Sequence, residues 1–113
     1  MTDTTATAGR YAQRMLAEAG IASRADGHIN AGCVWIAIDT PGGEIWFSGT
    51  GEQENWVDYA PAEHCGWAVC FNDESGAVTV LHESSSTDLV ADTAAAVDAV
   101  RAVLNPKAAS PRT

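Results

Sequence analysis

No lysine or arginine occurs between residues 25 and 100, yet the same stretch carries thirteen aspartates and glutamates. The six basic residues lie outside it, with Arg10, Arg14 and Arg24 before and Arg101, Lys107 and Arg112 after, and the net charge is −9 over 113 residues. A surface so poor in positive charge repels phosphate backbones and anionic headgroups, which disfavours direct nucleic-acid binding and membrane binding. A protein partner with a basic surface fits better. Acidity that serves only solubility is the competing reading.

Further absences narrow the chemistry. No run approaches the roughly eighteen apolar residues that span a bilayer, and the opening MTDTTATAGR has no apolar core of a secretory signal, so a cytoplasmic protein is expected. Three cysteines, Cys33, Cys65 and Cys70, cannot all pair within the chain, and no CxxC occurs, so reduced thiols are expected. His64 and Cys65 are adjacent and would point to opposite faces of a strand, which argues against a thiol nucleophile. His28, His64, His82, Cys65 and Cys70 are suitable zinc ligands but lack the paired short spacing of a structural zinc site. Glu52 with Glu54, and Asp73 with Glu74, have no EF-hand or glycosidase context. GTGE at 49–52 and PGGE at 41–44 lack the lysine and helix of a phosphate cradle, so they read as turns. No catalytic residue, metal or cofactor is expected.

What is present describes one α+β domain over residues 1–106 with a flexible tail at 107–113. Residues 7–19 have the spacing of an amphipathic helix, with Ala8, Tyr11, Ala12, Met15, Leu16 and Ala19 on one side and Gly20 as its cap. A second helix is predicted from Asp88 to Asn105, introduced by SSSTD and stopped by Pro106; its stripe is Leu89, Val90, Thr93, Val97, Val100, Val103 and Leu104. Between them, four segments of period two predict strands: Cys33–Asp39, Glu44–Ser48, Gly66–Phe71 and Ala77–His82. The segment 21–32 is left without an assignment, a short strand around His28 and Ile29 being one option.

Registers follow from the turns. A type II turn on Pro41-Gly42 pairs Ile38 with Ile45, Ile36 with Phe47 and Ala37 with Trp46. A four-residue loop at 73–76 pairs Phe71 with Val78, Val69 with Val80 and Trp67 with His82. The expected architecture is α-β-β-β-β-α, a four-stranded antiparallel sheet with the two terminal helices packed on one face. Val34, Ile36, Ile38, Ile45, Phe47, Trp67, Val69, Phe71, Val78 and Val80 form the covered face.

The other face holds Cys33, Trp35, Ala37, Trp46, Ser48, Ala68, Cys70, Ala77, Thr79 and Leu81, too apolar to face water alone. Either a partner covers it, or the sixteen-residue segment 50–65 folds back as a lid with Trp56 and Tyr59 as its plugs. The function expected is a non-enzymatic acidic interaction domain, an inhibitor or adaptor, with nucleic-acid charge mimicry as a special case. Its binding residues would be Trp35, Trp46, Glu52, Glu54, Trp56, Asp58, Tyr59, Glu63 and His64. Two rivals stand beside it: a small-ligand binder or enzyme with a pocket lined by Trp35, Trp46, Trp56, Tyr59 and His64, and a homodimer through the open sheet face.

Overall fold

The computed structural model describes residues 7–28, 33–53 and 56–104. Helix α1 (Ala8–Glu18) is followed by five strands, β1 (Arg24–His28), β2 (Cys33–Thr40), β3 (Gly43–Gly49), β4 (Trp67–Asp73) and β5 (Val78–Glu83), and then by helix α2 (Leu89–Leu104). The strands form one antiparallel meander in the order β1-β2-β3-β4-β5. The α+β class and the helix-flanked order are as expected, but the sheet has five strands, not four. The added strand is β1, RADGH, whose polar sequence has no apolar alternation and is held in place by pairing with β2.

Both helices pack on one face. Leu16, Ala12 and Ala8 of α1 and Ala96, Val97 and Val100 of α2 meet Val34, Ile36, Ile38, Ile45, Phe47, Trp67 and Val69 in a single core. Thr7 caps α1 by accepting from the Arg10 N–H, while Ala8 N and Gly9 N donate to the carbonyls of Tyr59 and Val57. The long β3–β4 connection therefore satisfies donors that a helix start leaves unpaired. At the other end Gly20, at φ 83°, allows the Ile21 N–H to reach the Leu16 carbonyl.

The β2–β3 register is as predicted, with Ile38 opposite Ile45, Ile36 opposite Phe47 and Ala37 opposite Trp46. The turn type differs. Gly42 has no positive φ, and the unusual angle falls on Gly43 at 158°, a pattern closer to a type I turn, which favours proline second and glycine fourth.

The β4–β5 register is one residue away from expectation. Asn72 faces Val78, Phe71 faces Thr79 and Cys70 faces Val80. Asp73 belongs to the strand, its N–H donating to Ala77 O and its carboxylate accepting from Ser75 N, Ser75 Oγ and Ala77 N. The loop is thus Glu74-Ser75-Gly76, with Gly76 left-handed at φ 92°. A slip of one residue turns every side chain over. Val78 and Val80, expected in the core, are 59% and 58% exposed, while Leu81 packs against the core. A bulge opposite Val69 and Cys70 then shifts the register again, so that His82 faces Val69.

The α2 stripe is as expected at Thr93, Val97 and Val100, with Leu89, Val103 and Leu104 packed against the core, but it excludes Val90 and takes in Asp92 and Ala96. Val90 is 62% exposed, and the buried positions are Asp92, Thr93, Ala96, Val97 and Val100. Polar groups occupy the middle of the molecule because partners await them there.

Candidate functional site

Asp92 is that centre. It sits in the first turn of α2, only 4% exposed, and its two carboxylate oxygens serve four donors. Oδ2 accepts from His64 Nε2 at 2.7 Å and from the Trp67 backbone N–H at 2.9 Å. Oδ1 accepts from His82 Nε2 and from Ser84 Oγ, each at 2.7 Å. His64 Nδ1 lies 2.6 Å from Tyr59 Oη, and Trp67 Nε1 donates to Thr93 Oγ1 at 2.9 Å. With an ionised Asp92, one proton arrangement satisfies the whole chain: His64 carries its proton on Nε2, and Tyr59 donates to Nδ1.

Electrostatics agree with this arrangement. Burial would raise the Asp92 carboxyl, but the bonds from His64, His82 and Ser84 outweigh it and hold the group below its ordinary 3.8. Burial, aided by Cys65 and Asp92, pushes the Tyr59 phenol well above its usual range. Both groups are thereby fixed in the protonation state that the bonds require. A Tyr–His–Asp chain resembles a catalytic relay, yet Tyr59 and His64 are buried and packed against Trp67, with ring centroids 6.0 and 4.9 Å from it. The cluster ties the 57–64 segment, β4, β5 and α2 together. Sequence reasoning did not find it. The signal available was Asp92 next to the stripe residue Thr93, together with two histidines in a chain that has only three.

The opposite face of the sheet is different in kind. One row runs across it from Arg24 through Ala37, Trp46 and Cys70 to Val80, and a second from Asp39 through Glu44 and Asn72 to Val78. Trp35 lies half-buried against Trp46, ring centroids 4.8 Å apart and tilted by 34°. Trp46 is 36% exposed, and its Nε1 donates to Glu44 Oε1 at 2.7 Å. Burial, aided by Glu83, raises the Cys70 thiol, which keeps it neutral between Trp46 and Val80. Arg24 bridges Asp39 at 2.8 Å, Glu44 at 3.0 Å and Asp26 at 3.6 Å. The corner beside Trp46 therefore holds three acids and one base. Towards β5 the face ends in the two exposed valines, with Asp73 and Glu74 in the turn at one end and Glu83 at the other.

The predicted binding residues divide between these two places. Trp35 and Trp46 lie on the open face. Tyr59 and His64 lie in the core beneath the helices, Trp56 packs against that core, and Asp58 accepts from Thr7 Oγ1. Glu52 and Glu63 fall in short 3-10 turns at 51–53 and 61–63, and Glu54 lies outside the described residues. The 50–65 segment is therefore not a lid over Trp46. Its Val57 and Tyr59 do plug the protein, on the helix side. Nor do the five residues proposed to line a pocket meet, since the sheet separates Trp35 and Trp46 from Tyr59 and His64. Cys65 donates from Sγ to Thr50 O, away from His64.

A groove of about 290 Å³ opens between the end of α1, the start of β1 and the end of α2, lined by Ile21, Arg24, Ile38, Asp39 and Leu104 among others. Among the described residues no group of three or more His, Cys, Asp or Glu is placed to hold a metal ion, and no helix is long and apolar enough to cross a membrane. Among the described residues the carboxylates fall in the open-face corner, the β4–β5 turn, the loop, the exposed side of α2 and the core. No family model matches the chain, and the comparisons with curated proteins and with solved structures return no match.

Proposed function

We propose that this is a non-enzymatic interaction domain that docks the open face of its sheet onto another protein. One observation carries the reading: Trp46 on β3 and Val78 and Val80 on β5 are exposed on the sheet face that carries no helix, with Cys70 and Asn72 of β4 between them. Apolar area of this kind gains about 25 cal/mol per Å² when covered, and tryptophans near the centre of a contact dominate its energy. Acids edge the patch, and the chain carries −9 overall, so a partner with an apolar centre and a basic rim is complementary. The Asp92 cluster supports the same view, because this chemically rich group among the described residues is used up in internal bonds.

Selection from a random displayed-peptide library against the folded chain tests this. Enriched peptides combining apolar residues with lysine or arginine, whose binding is lost in Trp46→Glu, are the expected result. Binders that are indifferent to Trp46→Glu, or that carry no basic residues, sink the reading.

A further inference from the structure

Strand β5 is an edge of the sheet, and its sequence does not protect it. From Gly76 to Leu81 it reads GAVTVL, without charge or proline, whereas exposed edges are usually blunted by lysine, proline or a bulge. A bulge at Leu81, opposite Val69 and Cys70, interrupts the second half of β5 and leaves Val78–Val80 as its regular, unblunted part. Because Asp73 N donates to Ala77 O, the antiparallel alternation turns Thr79 toward β4 and aims the N–H and C=O of Val78 and Val80 outward. Among the described residues no backbone bond reaches that edge from another segment. The residues with outward backbone groups are the same two whose side chains lie exposed on the open face. Acids stand at both ends of the strand, Asp73 and Glu74 at one and Glu83 at the other.

We propose that the free edge of β5 takes up an extended segment of a basic protein partner as a sixth strand. The segment places β-branched or aromatic residues beside Val78 and Val80, and lysine or arginine near the acids at either end. Backbone bonds supply affinity here, and the side-chain pattern and charge supply choice of partner. This rests on the docking function of the open face, since alternate side chains of the added strand extend that face beyond β5. A second copy fits less well. Two β5 strands paired about Thr79 would bring Val78 against Val80, but two chains of net charge −9 repel one another.

The test uses a fluorescent seven-residue peptide of alternating valine and threonine with a lysine at each end, titrated by anisotropy against the full chain. A twin peptide is N-methylated at alternate residues. Val80→Pro deletes an outward N–H while keeping an apolar group on the face, a change that an edge strand tolerates. Saturable binding that weakens about tenfold or more in Val80→Pro and with the methylated twin is expected, the loss of one or two backbone bonds. The twin peptide leaves the protein untouched, so it decides the matter even if Val80→Pro folds poorly. Binding unchanged by both alterations overturns the edge site, and so does no saturation below about 1 mM peptide. A wild-type dimer that Val80→Pro dissociates also overturns it, by giving the edge to a second copy. Trp46→Glu separates the two proposals: if it leaves peptide binding intact while Val80→Pro abolishes it, the edge stands and the role of the face falls.

Discussion

Asp92 serves four donors with two oxygens; the bonds from His64 Nε2 and the Trp67 N–H are buried, and those from His82 and Ser84 are part-buried. Asp92→Asn keeps the volume but turns an N–H₂ toward groups that themselves donate. A loss of about 3 kcal/mol is expected by urea denaturation, the order expected when hydrogen bonds to a buried charged group are broken. Acid should act on the same group. Folded Asp92 stays ionised below its ordinary 3.8, so in that window the unfolded chain binds more protons, and stability rises with pH and is lost on acidification. Asp73 is also held low, first by its bond from Ser75, so some dependence survives in the variant. The urea midpoint of the native chain is expected to fall more steeply from about pH 4 to about pH 2 than that of Asp92→Asn. Sequence alone could not assemble this site. Asp92 is 28 residues from His64 and 10 from His82, and nothing local tells a helix position that it will be buried beside them.

At the scale of elements, glycine chemistry decides two junctions in different ways. Gly76 is left-handed but a Cβ there would meet nothing, so Gly76→Ala carries only the backbone penalty, about 1 kcal/mol. Gly66, at φ 131°, lets β4 begin against the end of β5, and a Cβ there would overlap the Ser84 carbonyl oxygen. Gly66→Ala is expected to cost on the order of 3 kcal/mol or more, because backbone has to move. Thermal melts of the two variants check the ranking; equal losses would contradict it. The elements were legible to differing degrees for physical reasons. Pro41 restricts one turn tightly enough to set the β2–β3 register. The β4–β5 loop could close with three residues or four, and only the carboxylate of Asp73 capping the shorter loop selects the first. Strand β1 is polar and exists through its partner, and the α2 stripe takes in Asp92, whose bonds lie far along the chain, in place of Val90.

For the whole molecule, charge is the property most openly written in the sequence and the least organised by the fold. Arg24 lies just outside the unbroken acidic stretch, yet it folds back onto Asp26, Asp39 and Glu44 and offsets part of the rim. The remaining excess repels itself, so salt should help the fold. Raising ionic strength from about 0.05 M to about 0.5 M is expected to raise the melting temperature while weakening binding of a lysine-bearing peptide. A melting temperature that falls, or peptide binding that strengthens, would contradict the electrostatic part of the account. The sequence predicts an open apolar face edged by acids, but on β5 it names Ala77, Thr79 and Leu81 where Val78 and Val80 stand, because the register there moves by one.

The Asp92 cluster also has a consequence in time. Its members are residues 59, 64, 67, 82, 84 and 92, so a chain growing from its N-terminus makes the sheet's last two strands before the carboxylate that joins them to the loop. Any fragment ending before α2 leaves Trp67 Nε1 without Thr93 and the Nε2 groups of His64 and His82 without Asp92. Completion of the last helix is therefore the step that closes the molecule, and an interrupted chain carries on its surface the marks by which a cell's proteases know unfinished protein.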